Sequence, residues 1–292
     1  MLPNGNLAPM IKRVGICGSG IMGSGIAEVA AKAGFDVVLR SRKQATADAT
    51  IAKLEKSLAK QVEKGRLSEE DRDAVLARVT GTELISDLAD CDLIIESVVE
   101  DLETKRAMFI ELDAAVKSEA ILATNTSTLA VVELAMATGR ADKVVGVHFF
   151  NPAPAMSLVE IISPLTADEA TTAAVKEFAT SCGKNPVEVQ DRAGFIVNAL
   201  LFPYLNNAVR MLENGVASRD DIDTAMKGGC NFPMGPLALL DLVGLDTSVS
   251  ILDALYDEFR DPNYATMPLL RRMVTAGQLG RKSGKGFYDY SR

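Results

Sequence analysis

The 292-residue sequence has little that is typical of membrane, disulfide-rich or nucleic-acid-binding proteins. It contains no apolar run near the roughly 18 residues that a membrane span needs. Residues 1–10 lack the basic and apolar segments of a signal peptide. The four cysteines are scattered and form no C-x-x-C pair, which favours reduced thiols in the cytosol over disulfides or a zinc site. A net charge of -8 argues against binding to nucleic acid or to an acidic membrane surface.

What is present is a regular alternation of short β-branched runs and helix-period segments over residues 1–190. The hydrophobic content of 48% is enough to fill two cores. The alternation predicts a parallel sheet with helices on both faces. The predicted strands are Arg13–Cys17, Asp36–Leu39, Leu93–Glu96, Ile121–Thr124, Val144–Val147, Ser157–Ile162 and Pro186–Val189. The predicted helices between them include Met22–Lys32, Glu103–Val116 and Ala167–Ser181.

Two long segments depart from this alternation. Residues 42–78 are charged, alanine-rich and free of strand signals, which predicts a helical hairpin that turns near Gly65–Ser68. Insertions of this size in a compact α/β domain often carry a function. From residue 191 to residue 292, amphipathic helical patterns replace the strands, so we expect a domain boundary near 190 and an all-α second domain.

A glycine-rich motif follows the first predicted strand and opens the first helix. It reads Gly18-Ser19-Gly20-Ile21-Met22-Gly23. In a strand–turn–helix context, Gly18 makes the tight turn, Gly20 lets the backbone approach a pyrophosphate, and Gly23 lets the helix pack closely on the strand. The alternative is a purely structural turn. The context favours a Rossmann-type domain that binds a dinucleotide.

The end of the second predicted strand bears on which dinucleotide binds. NAD enzymes usually place an acid there to bond the ribose 2′-hydroxyl. This chain has Arg40, Ser41 and Arg42 instead. A serine and guanidinium groups suit a 2′-phosphate, so we favour NADP over NAD. The alternative is that both arginines are solvated residues at the start of a helix.

The sequence contains a single histidine, His148, just past the predicted strand Val144–Val147. Ligands of open α/β sheets bind at the carboxyl ends of the strands, although a lone histidine is more often structural. Glu160 lies in an apolar run, where an ionised carboxylate is costly without a partner. If the chain turns at Asn151–Pro154 and returns as a strand, Glu160 approaches His148. The pair is then a candidate acid–base dyad. The alternative is that Glu160 faces solvent on an edge strand.

Two further polar groups are candidates for contact with a substrate. Ser127 lies in Asn125-Thr126-Ser127-Thr128, which follows a strand and therefore reaches the same edge. Ser127 or Thr128 is alternatively an N-cap of the next helix. Asn198 opens the helical domain and is a candidate to reach the substrate from there.

Taken in order, these motifs resemble those of the L-3-hydroxyacyl-CoA dehydrogenases. The resemblance extends from about residue 11 to 290 and rests on segments distributed along the whole chain. They are Gly18–Gly23, Asn125–Ser127, His148–Pro152, Leu158–Glu160, Gly194–Asn198, Asn231–Pro236 and Gly284–Tyr288.

The resemblance implies a role for each matching position. It implies that His148 is the general acid and base, that Glu160 orients it, and that Ser127 and Asn198 hydrogen-bond the 3-oxygen of the substrate. It also implies cofactor contacts at Glu100, Lys105, Asn125, Asn151 and Lys282, and CoA contacts at Ser57 and Lys64 in the hairpin. Two positions depart from the family pattern: Arg40–Arg42 replaces the usual acid, and Ala199 replaces an arginine.

Charge in the hairpin supports the CoA assignment, because residues 53–66 carry five basic residues against two acidic ones. A charge run on a helix is, however, more often simply solvated. The expected activity is the interconversion of 3-hydroxybutyryl-CoA and acetoacetyl-CoA, without a metal. Longer-chain or 3-hydroxyadipyl substrates, a β-hydroxyacid dehydrogenase acting on a free acid, and a catalytically silent crystallin-like protein are the alternatives. Phe195-Ile196-Val197 and Phe202 suggest a dimer interface in the second domain, although a helix buried within one chain has the same pattern.

Overall fold

The computed structural model describes residues 10–291, and the chain divides into two compact units between Asp191 and Arg192. The strands of the first unit are β1 (Arg13–Cys17), β2 (Asp36–Arg40), β3 (Val79–Thr82), β4 (Leu93–Glu96), β5 (Ile121–Thr124), β6 (Val144–Phe149), β7 (Leu158–Ser163) and β8 (Asn185–Gln190). Its helices are α1 (Ile21–Lys32), α2 (Gln44–Glu63), α3 (Glu69–Ala77), α4 (Leu102–Ala115), α5 (Val131–Ala135) and α6 (Glu169–Ser181). The second unit contains α7 (Val197–Glu213), α8 (Arg219–Cys230), α9 (Pro236–Val243), α10 (Leu245–Phe259) and α11 (Pro268–Thr275).

One eight-stranded sheet forms the centre of the first unit, in the order β3-β2-β1-β4-β5-β6-β7-β8. The strands from β3 to β6 are parallel, and β7 is antiparallel to β6. The short connection after β6 reverses the chain direction, so β7 returns beside β6, as the predicted turn at Asn151–Pro154 requires. The central strands are mostly apolar, and Leu93, Ile94 and Ile95 are fully buried, as strands covered on both faces should be.

The predicted helical hairpin is present as α2 and α3. The Ser68 side chain accepts a hydrogen bond from the Asp71 amide at 3.0 Å, which caps α3 and explains why the turn ends there. The strand β3, which follows the hairpin directly, is not among the predicted strands. Its sequence, VTGT, is short and lacks an apolar run, and it forms a strand because β2 offers it a pairing edge.

Three strands, β2, β6 and β8, are longer than predicted, and the extensions of β2 and β6 correct the positions of two candidate residues. Arg40 is the last residue of β2 rather than a residue beyond it. His148 lies within β6 rather than just past its end, because antiparallel pairing with β7 extends β6 to Phe149.

The second unit is a helical body with its own core. Buried side chains of α7, α9, α10 and α11 fill it, among them Leu205, Leu240, Leu252 and Leu270. Phe202 belongs to this core, and Phe195 is buried in a left-handed backbone conformation before α7 begins. Neither phenylalanine is the exposed interface residue that the sequence suggested. Among residues 10–291, no helix combines the length and apolarity that crossing a bilayer requires.

Candidate active site

The glycine-rich turn joins β1 to α1, and close backbone contacts explain two of its three glycines. Gly18 has φ +122°, and a Cβ there would lie 2.2 Å from the carbonyl oxygen of Ser97. A Cβ on Gly23 would lie 1.9 Å from the carbonyl oxygen of Gly18. A Cβ on Gly20, by contrast, would meet no atom within 4 Å in the described part of the chain. Open space above Gly20 and the start of α1 at Ile21 fit a bound pyrophosphate.

The end of β2 lies beside this turn. The amide of Gly18 donates to the carbonyl oxygen of Arg40 at 3.0 Å, and the hydroxyl of Ser19 donates to that of buried Ser41 at 2.9 Å. Arg40 is half-buried and donates to the carbonyl oxygen of Glu83 at 3.3 Å, whereas Arg42 is exposed. Ser41 is thus fixed against the glycine turn, and the two arginines differ in their surroundings.

The structure also brings an acid near this segment that the sequence did not reveal. Glu83 follows β3, and its carboxylate accepts a hydrogen bond from the backbone amide of Gln44 at 2.9 Å, at the start of α2. No short-range pattern pointed to this contact, because it depends on the pairing of β3 with β2.

His148 and Glu160 are direct partners across the antiparallel pair β6–β7. Nδ1 of His148 lies 2.8 Å from Oε2 of Glu160, and both side chains are buried. Since β8 pairs with the other side of β7, Glu160 is not on a solvent-facing edge strand, and that alternative is wrong. When the carboxylate is ionised, Nδ1 carries a proton and donates a hydrogen bond to Glu160, which fixes the tautomer of the imidazole ring.

Neighbouring groups fix the end of β6. The backbone amide of Phe149 donates to Oδ1 of Asn125 at 2.9 Å, which ties the segment after β5 to the histidine strand. The ring of Phe150 packs against the imidazole with centroids 4.5 Å apart. The ammonium group of Lys184 donates to the carbonyl oxygens of Ala153 and Met156 at 2.7 and 2.8 Å, so it fastens the connection that follows His148.

The segment that carries Ser127 is organised by Glu100. Oε1 of Glu100 accepts hydrogen bonds from the Thr126 hydroxyl at 2.6 Å and from the Ser127 amide at 2.8 Å. Burial alone raises the pKa of Glu100, but the Lys105 ammonium and these hydrogen bonds outweigh it and lower the pKa below its usual value.

Neither Ser127 nor Thr128 caps the next helix, so the N-cap alternative is wrong. The carboxylate of Asp191 performs that task instead. It accepts hydrogen bonds from the amides of Val131 and Val132 in the first turn of α5, each at 2.8 Å. Asp191 lies about 60 residues further along the chain, so sequence spacing gave no sign of it.

Lys105 does not stand at the surface of the site, although the resemblance implied a cofactor contact there. It is 1% exposed, and its ammonium nitrogen lies 2.8 and 3.0 Å from the two oxygens of Glu96 and 3.3 Å from Glu100. Sequence analysis identified Glu96 only as the end of a strand. The signal available was a glutamate that closes an otherwise apolar run.

The other candidate residues lie elsewhere on the two units. Asn151 is exposed in the connection between β6 and β7, and Ser57 and Lys64 are exposed on the hairpin. In the second unit, Asn198 is buried in the first turn of α7, and the ammonium of Lys282 donates to Asp246 at 2.7 Å.

Comparison with known proteins identifies the family. The family model "3-hydroxyacyl-CoA dehydrogenase, NAD binding domain" matches residues 13–192. The family model "3-hydroxyacyl-CoA dehydrogenase, C-terminal domain" matches residues 194–290. The chain is 48% identical to a 3-hydroxybutyryl-CoA dehydrogenase of Mycobacterium tuberculosis, covering 97% of this chain and 100% of the relative. It is also 48% identical to one of Clostridioides difficile, covering 96% and 100% of the two chains.

A solved structure agrees with these relatives. The crystal structure of (S)-3-hydroxybutyryl-CoA dehydrogenase from Ralstonia eutropha superposes with a TM-score of 0.94 at 42% identity, covering 97% of this chain and 100% of that one. The family models together span nearly the whole chain, and the predicted resemblance is confirmed. The protein therefore belongs to the 3-hydroxyacyl-CoA dehydrogenase family.

Proposed function

We propose that the protein interconverts (S)-3-hydroxyacyl-CoA and 3-oxoacyl-CoA, with 3-hydroxybutyryl-CoA and acetoacetyl-CoA as the substrate pair. The observation that carries the proposal is the 2.8 Å contact between His148 and Glu160 in the same sheet as the glycine-rich turn. The relatives named 3-hydroxybutyryl-CoA dehydrogenase, at 48% identity over nearly the full chain, support the choice of substrate.

In this mechanism His148 is the general acid and base at the 3-oxygen of the substrate. A bound nicotinamide supplies the hydride to C3 in reduction and accepts it in oxidation. Nε2 of His148 delivers a proton to the 3-oxygen in reduction and removes it in oxidation, while Glu160 stabilises the imidazolium. Ser127 is proposed to hydrogen-bond the same oxygen and to favour the charge that develops on it. For Asn198, the proposal keeps the substrate contact that the family resemblance implies.

Replacement of the histidine tests the function. His148→Gln should lower kcat by about 10²–10⁴-fold, the usual effect of a positioned acid–base group. The measurement is the consumption of the reduced cofactor at 340 nm with acetoacetyl-CoA. Glu160→Gln should also lower kcat and leave the Kd of the cofactor unchanged. Near-normal turnover by His148→Gln would refute the proposed role.

The proposed cofactor is NADP rather than NAD. The support is the pair Ser41 and Arg42 beside the glycine turn, where Ser41 is fixed and Arg42 is exposed. A charge-assisted hydrogen bond to a 2′-phosphate contributes about 1.5–3 kcal/mol, so Arg42→Ala should raise the KM for NADPH by roughly 10–100-fold. The KM for NADH should not change. Equal KM values for both cofactors in the unaltered enzyme would contradict the preference.

The helical hairpin is the proposed contact for CoA. Ser57 and Lys64 are exposed on it, among the basic residues of α2. Lys64→Glu should raise the KM for acetoacetyl-CoA more than that for the cofactor, because it reverses the charge that faces the CoA phosphates.

We further propose that two copies associate through the second unit. Leu200, Phe232 and Leu242 are large apolar side chains exposed there, and Leu200 is 73% exposed. Exposed apolar surface of this kind marks interaction sites. Cys17, Cys91, Cys182 and the exposed Cys230 are free thiols, which supports the proposed location in a reducing compartment such as the cytosol.

A further inference from the structure

Glu96 lies at the middle of the ligand edge of the sheet. It is the last residue of β4, its register partners are Cys17 on β1 and Thr124 on β5, and it is fully buried. It therefore stands between the strand that leads into the glycine-rich turn and the strand that leads into the Ser127 segment. No step of the mechanism above uses it.

The carboxylate of Glu96 is saturated with donors. Oε1 accepts hydrogen bonds from the amide of Val98 at 2.6 Å and from the ammonium of Lys105 at 2.8 Å. Oε2 accepts from the same ammonium at 3.0 Å and from the hydroxyl of Thr124 at 2.7 Å. A carboxylate removed from water needs this degree of compensation, and its partners are held with correspondingly little freedom.

Lys105 connects Glu96 to the Ser127 segment through Glu100. Its third contact is Glu100, at 3.3 Å, and the other oxygen of Glu100 binds Thr126 and Ser127. Two carboxylates therefore share one buried ammonium. Both oxygens of Glu96 bind the Lys105 ammonium. Oε1 of Glu100 therefore remains available to accept hydrogen bonds from the hydroxyl and amide groups of the Ser127 segment.

We propose that Glu96 is a positioning residue for the reaction: it anchors Lys105, and through Lys105 and Glu100 it sets the position of Ser127. This inference rests on the proposed function, in which Ser127 contacts the 3-oxygen of the substrate. A glutamine at this position offers one acceptor oxygen and no charge. The ammonium of Lys105 then moves toward Glu100 and draws that carboxylate away from the Ser127 segment.

The test is a double-mutant cycle in kcat. Glu96→Gln should lower kcat with acetoacetyl-CoA by about 10–100-fold, the scale of a displacement of about 1 Å in an active site. Thr124→Ser is the matched control, because it changes a neighbour of Glu96 but keeps both charges and the hydroxyl that bonds Glu96 and the Thr126 amide. It should lower kcat by less than about 3-fold. In a Ser127→Ala background, Glu96→Gln should have little further effect, because both changes act on the same interaction.

Two results would overturn the inference. One is an unaltered kcat for Glu96→Gln, and the other is that Glu96→Gln lowers kcat equally in the unaltered enzyme and in the Ser127→Ala variant. If Glu96→Gln does not fold, Glu96→Gln/Lys105→Met removes both charges, and the same cycle applies to it. Hydrogen exchange provides a readout that does not depend on turnover. The amides of Ser127 and Thr128 should exchange faster in Glu96→Gln, and unchanged exchange would refute the restraint. Failure of the proposed function has a different signature, namely no acyl-CoA turnover by the unaltered enzyme.

Discussion

The two units pair their carboxylates in contrasting ways. In the first unit, Glu96 and Glu100 share the ammonium of Lys105, and the pKa of Glu100 lies below its usual value. In the second unit, Asp241 accepts hydrogen bonds from neutral donors: the amides of Phe287 and Tyr288 at 2.9 and 2.8 Å, and the hydroxyl of Tyr290 at 3.1 Å.

The pKa of Asp241 is shifted in the opposite direction from that of Glu100. Burial raises it, and the hydrogen bonds from Tyr288 and Phe287 offset only part of the increase. Asp241 fastens the C-terminal segment to α9 at close range, since a Cβ on Gly286 would lie 1.9 Å from Oδ1 of Asp241. The comparison shows that two acids near the candidate active site share one cation, whereas a buried acid in the helical unit serves as an acceptor for backbone docking.

The largest expected effect on stability comes from removing the shared cation, the Lys105 ammonium. Lys105→Met leaves a fully buried Glu96 without its ion-pair partner and should destabilise the fold by about 3–5 kcal/mol. Glu96→Gln/Lys105→Met should recover part of this loss. Lys176→Met is the matched control: it disrupts an exposed pair with Glu188 and should change stability by about 0–1 kcal/mol. Urea denaturation measures all three, and equal losses for Lys105 and Lys176 would contradict the comparison.

The acceptor role of Asp241 predicts a smaller loss. Asp241→Asn places an amide group against at least one of three donors and should cost about 1–3 kcal/mol, because a buried donor is left unsatisfied. Asp257→Asn on α10 is a surface control, since Asp257 is exposed, and its change should stay within about 0.5 kcal/mol. Hydrogen exchange of the Phe287 and Tyr288 amides shows whether the docked segment loosens first. Unchanged protection there would argue against the docking role.

The smallest effect is a difference in pH dependence, and the two units should give opposite signs. The lowered pKa of Glu100 contributes stability above about 4.5, and this is lost as the pH falls through the folded-state pKa. The raised pKa of Asp241 contributes stability that is complete below about 3.8 and is lost as the pH rises through the folded-state pKa.

Two variants separate these contributions. Glu100→Gln should reduce the loss of stability on acidification, and Asp241→Asn should reduce the loss on raising the pH from the acid end. Unfolding free energies between about pH 3 and 6 measure both slopes. Slopes that change in the same direction in Glu100→Gln and Asp241→Asn would contradict the opposite pKa shifts of the two acids.

Sequence patterns predicted the parts of the fold that depend on local periodicity. The strands Arg13–Cys17, Leu93–Glu96 and Ile121–Thr124 have the predicted bounds, because continuous apolar runs specify buried strands. The strand Val79–Thr82 was missed, since it has no such run and is held by its neighbour β2. The end of β6 was placed too early for a related reason, because pairing with β7 extends it.

The residues of the candidate site likewise divide into those predicted from sequence and those whose roles depend on tertiary contacts. The glycine motif and the approach of Glu160 to His148 followed from spacing and from the cost of burying an unpartnered carboxylate. The roles of Glu96, Glu83 and Asp191 did not, because each joins elements far apart in the chain.

The sequence by itself determined the family, the dinucleotide motif and the pairing of one histidine with one glutamate, since these depend on residue type and short-range order. Only the tertiary structure decided which buried charges balance one another. That balance depends on which strand ends lie side by side: β4 brings Glu96 between β1 and β5, where α4 supplies the single ammonium that two carboxylates share.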